Sequence, residues 1–205
     1  METVAFTQMK DGTQDEYLYL QKLEHDYIRA LPDRLLNALE RLGDSLQGYK
    51  ISRLEHSLQS ATRADDDGAD IEMIVAALVH DLGDELAPEN HSQFAASLIK
   101  PYVRPEVTWV IEMHGLFQMQ YYAHHYGRDA TGHLAYKDHP WFASAQRFVE
   151  KYDQAAFDPA YPTQPLSYFE PMLRTIFSRA PFAHTTMAAT AATTESTATT
   201  ATTAA

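Results

Sequence analysis

The chain has 205 residues and 45 % are hydrophobic, enough for one domain with a real core. A formal net charge of −12 argues against nucleic acid and anionic membranes as partners, and the lack of cysteine excludes disulfides, thiolate metal sites and cysteine nucleophiles. No apolar run reaches the roughly 18 residues needed to cross a bilayer, and the N-terminus has no basic region followed by an apolar stretch, so a soluble, cytoplasmic protein is expected.

Residues 1–12 read as a flexible arm. From Asp15 to about Ala30, Tyr17, Leu20, Leu23 and Ile28 recur at roughly helical spacing. Pro32 opens a second helix with Leu35, Leu36, Leu39 and Leu42 on one face. A third is expected near 51–64, carrying Leu54, Leu58 and Ala61, before the turn Asp65-Asp66-Asp67-Gly68. The fourth, about 70–82, is apolar nearly all round and should be central, with Gly83 ending it. Asn90 offers a cap for a fifth, about 91–101, and Pro105 starts a sixth. Further helix is expected at 117–126, 139–156 and 166–178. Strand signals are nearly absent, so the fold class is all-α, with roughly seven to nine helices. One helical domain spans 13–182. Over 183–205 the composition collapses into Ala and Thr, which cannot bury a core, so a disordered tail is expected.

The chain carries ten histidines, and their placement is informative. His80-Asp81 ends the most apolar helix. An ordinary reading is available: a histidine suits the negative end of a helix dipole, with Asp81 in solvent. His56 lies on an amphipathic helix with Gln59 on a similar face, His91 opens a helix, and His114 interrupts an apolar run where an unpaired imidazole is costly. Each alone has a structural explanation. In series, one per helix, they match what a metal site in a helical protein needs: imidazoles and carboxylates projecting inward from different elements. A downstream carboxylate is expected as well. Asp153, preceded by Phe148, Val149 and Tyr152, is preferred over Asp158, whose Asp-Pro context reads as a turn. His124, His125, His133 and His139 fall in a Gly- and Asp-rich stretch that reads as loop, lining a pocket mouth or facing solvent.

These blocks resemble the HD-domain superfamily, and within it the mixed-valent diiron oxygenases of the inositol oxygenase and phosphonate-cleaving group. The resemblance rests on Leu54-Glu55-His56-Ser57-Leu58-Gln59, on Ala77-Leu78-Val79-His80-Asp81-Leu82-Gly83, on His91 with Ala95 and Ala96, and on Glu112-Met113-His114. It covers about residues 49–155. It implies one iron held by His56, His80, Asp81 and Asp153, and a second by Asp81, His91 and His114, with Asp81 bridging. It also implies O2-dependent cleavage of a C–C or C–P bond next to a hydroxyl in a small-molecule substrate. The same ligand types suit hydrolytic metals such as Mn2+.

The chain departs from those relatives at four positions. Asp84 stands where they carry a basic residue, and Gln118 where the phosphonate cleavers carry Lys. Leu46 and Tyr49 occupy the places of a Tyr-x-x-Glu pair, and a small shift lets Tyr49 act as the iron cover. A carboxylate and an amide grip a phosphonate dianion poorly. A neutral polyol, an amine or a quaternary ammonium compound suits Asp84 better, with Phe117, Tyr121 and Tyr122 as a cation–π wall; the plainer role for Asp84 is capping or solvation. Arg53, Lys50 and Arg128 offer anion contacts from other directions. Asp84, Gln118 and Tyr49 are thus the expected substrate-facing residues. The rival readings are an HD phosphohydrolase using a metal-activated water and a metal-binding regulatory module.

Overall fold

A computed structural model describes residues 2–183. The described residues form eight α-helices with 3-10 turns between them and no strand: α1 (Gln14–Arg29), α2 (Leu31–Arg41), α3 (Arg53–Asp66), α4 (Ile71–Val79), α5 (His91–Ile99), α6 (Pro105–Tyr122), α7 (Phe142–Arg147) and α8 (Leu166–Phe177). The all-α expectation holds. Apart from Ala183, the Ala/Thr-rich segment expected to be disordered lies outside the described residues.

The ends of these helices follow local chemistry. Thr13 and Ser52 form capping boxes with Glu16 and Glu55, each satisfying two backbone N–H groups that a helix start leaves unpaired. Asp70 caps α4 through the N–H groups of Glu72 and Met73. Asn90 precedes α5, but its side chain makes no cap hydrogen bond. The stretches expected as separate helices at 105–118 and 117–126 are one helix through Tyr122, followed by the 3-10 turn Ala123–Tyr126.

α4 is the axis of the fold. Met73 to Val79 are all buried, and the helix packs against α3, α6 and α8. It is shorter than its apolar run suggests: it ends at Val79, and His80 to Leu86 continue as turns. α3 is unusual in burying a polar face, with His56, Ser57, Gln59, Ser60 and Thr62 all buried. That face binds the returning segment between residues 156 and 164. Gln59 exchanges two hydrogen bonds with the backbone of Asp158, at 2.8 and 3.1 Å, and Thr62 Oγ accepts the Gln164 N–H at 3.0 Å. Gln59 and Thr62 are thus paired, as most buried polar groups are, whereas Ser57 Oγ and Ser60 Oγ are buried without a partner.

Before α1, the Ala5 N–H donates to Glu16 at 2.6 Å, and Phe6 stacks on Tyr17. In α1, Tyr17, Leu23 and Ile28 are exposed, so its apolar stripe does not join the core, and the buried α1 residue is Glu16.

Candidate metal centre

Six polar side chains converge where α3, the turn after α4, α5, α6 and the segment after α7 meet. His56 comes from the second turn of α3. His80 is the C-cap of α4, and Asp81 follows in the turn. His91 is the first residue of α5, and His114 lies mid-way along α6. Asp153 ends a π-helical turn, Phe148–Asp153, that continues α7. Wide turns of this kind are rare and recur at functional sites. All six are buried except His91, whose side chain is 27 % exposed.

The donor atoms sort into two groups around Asp81. Its Oδ2 lies 3.3 Å from His56 Nε2 and 3.3 Å from His80 Nε2, while Asp153 Oδ1 lies 3.4 and 3.6 Å from the same two nitrogens. Its Oδ1 lies 3.5 Å from His114 Nε2 and 3.8 Å from His91 Nε2. Donors about 2.1 Å from a shared ion stand about 3–3.4 Å apart at angles of roughly 90–110°; His56, His80 and Asp81 meet this spacing, while the His80–Asp153 pair and the second group are slightly wider. Residues that could hold a metal are thus His56, His80 and Asp81 on one side and Asp81, His91 and His114 on the other, with His80, His114 and Asp153 making a third close combination between them.

Every imidazole is presented the same way. His56 Nδ1 meets the carbonyl of Ala156 at 2.9 Å, His80 that of Ala77 at 2.7 Å, His91 that of Pro88 at 3.2 Å and His114 that of Ile111 at 2.6 Å. A carbonyl only accepts, so each Nδ1 donates its proton and each Nε2 is the inward atom left to take a cation or a second proton. His114 Nε2 and Asp153 Oδ2 are buried without a hydrogen-bond partner. Inward imidazole nitrogens, two carboxylates and buried polar atoms without partners are a donor set that fits a cation.

Electrostatics agree. Burial opposes charge on His56 and His80, yet Asp153 and Asp81 beside them hold both rings above their ordinary 6.5, His80 well above it. Burial likewise pushes Asp81 and Asp153 up, but His80 and His114 hold Asp81, and His56 and His80 hold Asp153, below their ordinary 3.8. Without a metal the cluster is one that retains protons, and a bound cation takes their place.

Around this set the expected substrate-facing residues take definite positions. Asp84 does not face open space: Arg53 Nη2 pairs with both Asp84 Oδ2 and, at 2.7 Å, Asp81 Oδ2. The guanidinium therefore sits between two carboxylates, one of them a ligand candidate. Gln118 donates its amide N–H to Asp153 Oδ1 at 2.8 Å. Tyr49 is exposed and one ring removed from the centre, stacking on Phe157, which itself stacks on His56 at a centroid distance of 4.4 Å. Burial raises the phenols of both Tyr121 and Tyr122, with the charges of Glu150 and Asp153 adding at Tyr121 and that of Asp153 at Tyr122. Lys50 and Arg128 are exposed.

Some expectations are corrected. Phe117 is fully buried beside Trp109, His133 and Phe142, so it belongs to the core and not to an open cation–π wall. His133 is neither solvated nor at a pocket mouth but packs on Phe117 and Phe142. His139 stacks on Trp109 at 3.9 Å, and His124 and His125 are exposed. Asp158 makes its turn, accepting the Ala160 N–H at 2.9 Å, while Asp153 enters the cluster.

Three contributors escaped sequence reasoning. Phe157 carries no motif, and only its stacking on His56 reveals it. Gly83 reads as a helix terminator, but a Cβ there would meet the His91 Cα at 2.6 Å. A Cβ on Gly115 would meet Ser92 Oγ at 2.7 Å. Both glycines let the start of α5 approach closely enough to bring His91 to Asp81.

Comparison with protein-family models gives no match for this chain, and no curated protein matches it. Fold and geometry define an all-α protein with a buried histidine–aspartate cluster able to hold metal.

Proposed function

We propose that the protein is a non-haem diiron oxygenase of the HD-domain type, using O2 to cleave a C–C or C–P bond next to a hydroxyl in a small polar substrate. The observation that carries this reading is Asp81, whose two oxygens each face a different pair of histidines. That is the arrangement of a carboxylate shared by two ions. His56, His80, Asp81 and Asp153 would hold one iron, and Asp81, His91 and His114 the other. Imidazole and carboxylate ligands suit iron, which supplies the O2 chemistry when bound.

The chain's own residues set the conditions. Gln118 fixes Asp153, Arg53 fixes Asp81, and Phe157 with Tyr49 covers the His56 side against water. The Arg53–Asp84 pair also shapes the substrate reading. Asp84 already has a cation beside it, which supports a neutral hydroxylated compound over an amine or quaternary ammonium. Arg53 is equally committed, which counts against a phosphate ester.

Anaerobic purification, metal analysis and EPR after partial oxidation test the reading. Two irons per chain and a mixed-valent Fe(II)/Fe(III) signal are expected. Absence of iron together with phosphatase activity under Mn2+ would replace the oxygenase with a metal-dependent phosphohydrolase.

A further inference from the structure

Three consecutive aspartates at the end of α3 are each held by a tyrosine from later in the chain. Asp65 accepts the Tyr168 hydroxyl, Asp66 that of Tyr161 and Asp67 that of Tyr152, each at 2.7 Å. The first two links reach α8 and the loop before it. The third is different, because Tyr152 lies in the π-helical turn immediately before Asp153.

Asp67 gathers further partners from the same short segment. Its Oδ2 accepts Arg147 Nε at 2.9 Å and its Oδ1 accepts Lys151 Nζ at 2.9 Å. Those two cations are about half exposed, and such pairs contribute little alone. Tyr152 carries more weight. It is 3 % exposed, and its ring packs edge-on against Phe148. A buried phenol needs an acceptor, and Asp67 supplies it.

The turn so held is the wide one. Its closing bond runs from the Gln154 N–H to the Val149 carbonyl, five residues back, at 3.0 Å. This spacing lets the neighbours Tyr152 and Asp153 both be buried, one anchored by Asp67 and the other placed against His56 and His80. His56 and Asp67 sit towards opposite ends of α3, so one helix supplies both a ligand and the anchor of a second ligand's turn.

We propose that Asp67 is a positioning residue of the metal centre, acting through Tyr152 to set where Asp153 stands. This rests on the metal-binding reading above. The test is a two-step anaerobic titration of the full chain with Mn2+, the steps being assigned with Asp153→Ala and His91→Ala. Asp67→Ala and Tyr152→Phe should each weaken the ion held with Asp153 by about 10–100-fold, the usual effect of losing an outer support of a ligand, and leave the other ion unchanged. Asp66→Ala, which releases Tyr161 and not the π-helical turn, should lower Tm with both affinities intact. Wild-type affinities in Asp67→Ala overturn the inference while the metal reading stands; so does an equal loss in Asp66→Ala. A wild-type chain that binds no ion overturns both. Should Asp67→Ala fail to fold, Tyr152→Phe decides by the same criteria.

Discussion

His56 and His80 point their Nε2 atoms at each other across 3.2 Å while both rings give their Nδ1 protons to backbone carbonyls. Two lone pairs at that distance repel unless a positive charge lies with them, and Asp81 and Asp153 supply the matching negative charge. Metal should therefore stabilise the fold. Addition of Fe2+ or Mn2+ at about 100 times Kd should add about 2.7 kcal/mol, or roughly 5–11 °C in Tm for a domain of this size. Chelation should reverse the gain. A Tm indifferent to divalent metal would speak against the centre.

Asp81 is the shared ligand, so its loss should be felt on both sides. Asp81→Ala should bind at most one ion, and weakly, whereas His91→Ala should keep one. Metal analysis after dialysis gives the count, and two ions retained in Asp81→Ala would exclude the bridging role.

Gly83→Ala tests how His91 is delivered. The new methyl group collides with backbone, not with the tip of a flexible side chain, so α5 has to shift. The variant should lose the ion shared by His91 and His114 and retain the one at His56 and His80. Equal retention of both would show that α5 accommodates the methyl group.

Arg53 pairs with two carboxylates, which leaves one negative charge in excess. Arg53→Met leaves Asp84 without its cation and Asp81 with its histidines alone, at a cost of about 3 kcal/mol, the lower end for breaking a buried pair; this is roughly 6–12 °C in Tm. The double variant Arg53→Met/Asp84→Asn should recover much of the loss. Differential scanning calorimetry of the metal-free forms measures both, and no recovery would mean that Arg53 acts through packing.

The pH dependence has a definite sign. His56 and His80 lie above 6.5 in the folded protein, so their contribution is fully present below 6.5 and is lost as pH rises through their raised values. Asp81 and Asp153 lie below 3.8, so theirs is present above 3.8 and is lost as pH falls through their lowered values. The cluster thus stabilises the metal-free protein most between 3.8 and 6.5. Metal must displace the histidine protons, so its affinity should rise with pH. Tm of the metal-loaded form minus that of the metal-free form should widen above pH 6.5, and a constant difference would contradict the assignment.

Sequence alone determined the helical class, the centrality of the segment at about 70–82 and the six residues that converge. Those signals are local: apolar period, capping chemistry, and imidazoles or carboxylates set where an apolar run would otherwise continue. The split of Asp81 between two histidine pairs was beyond such reasoning, because it depends on where α3, α5, α6 and the turn after α7 stand relative to α4. The pairing of Asp84 with Arg53, 31 residues apart, likewise turned a residue expected to face substrate or solvent into part of a partly buried ion pair. The π-helical turn under Asp153 and the close approach at Gly83 arise from packing between distant segments. Local pattern states which side chains are costly to bury; only the assembled core decides which partner relieves each cost.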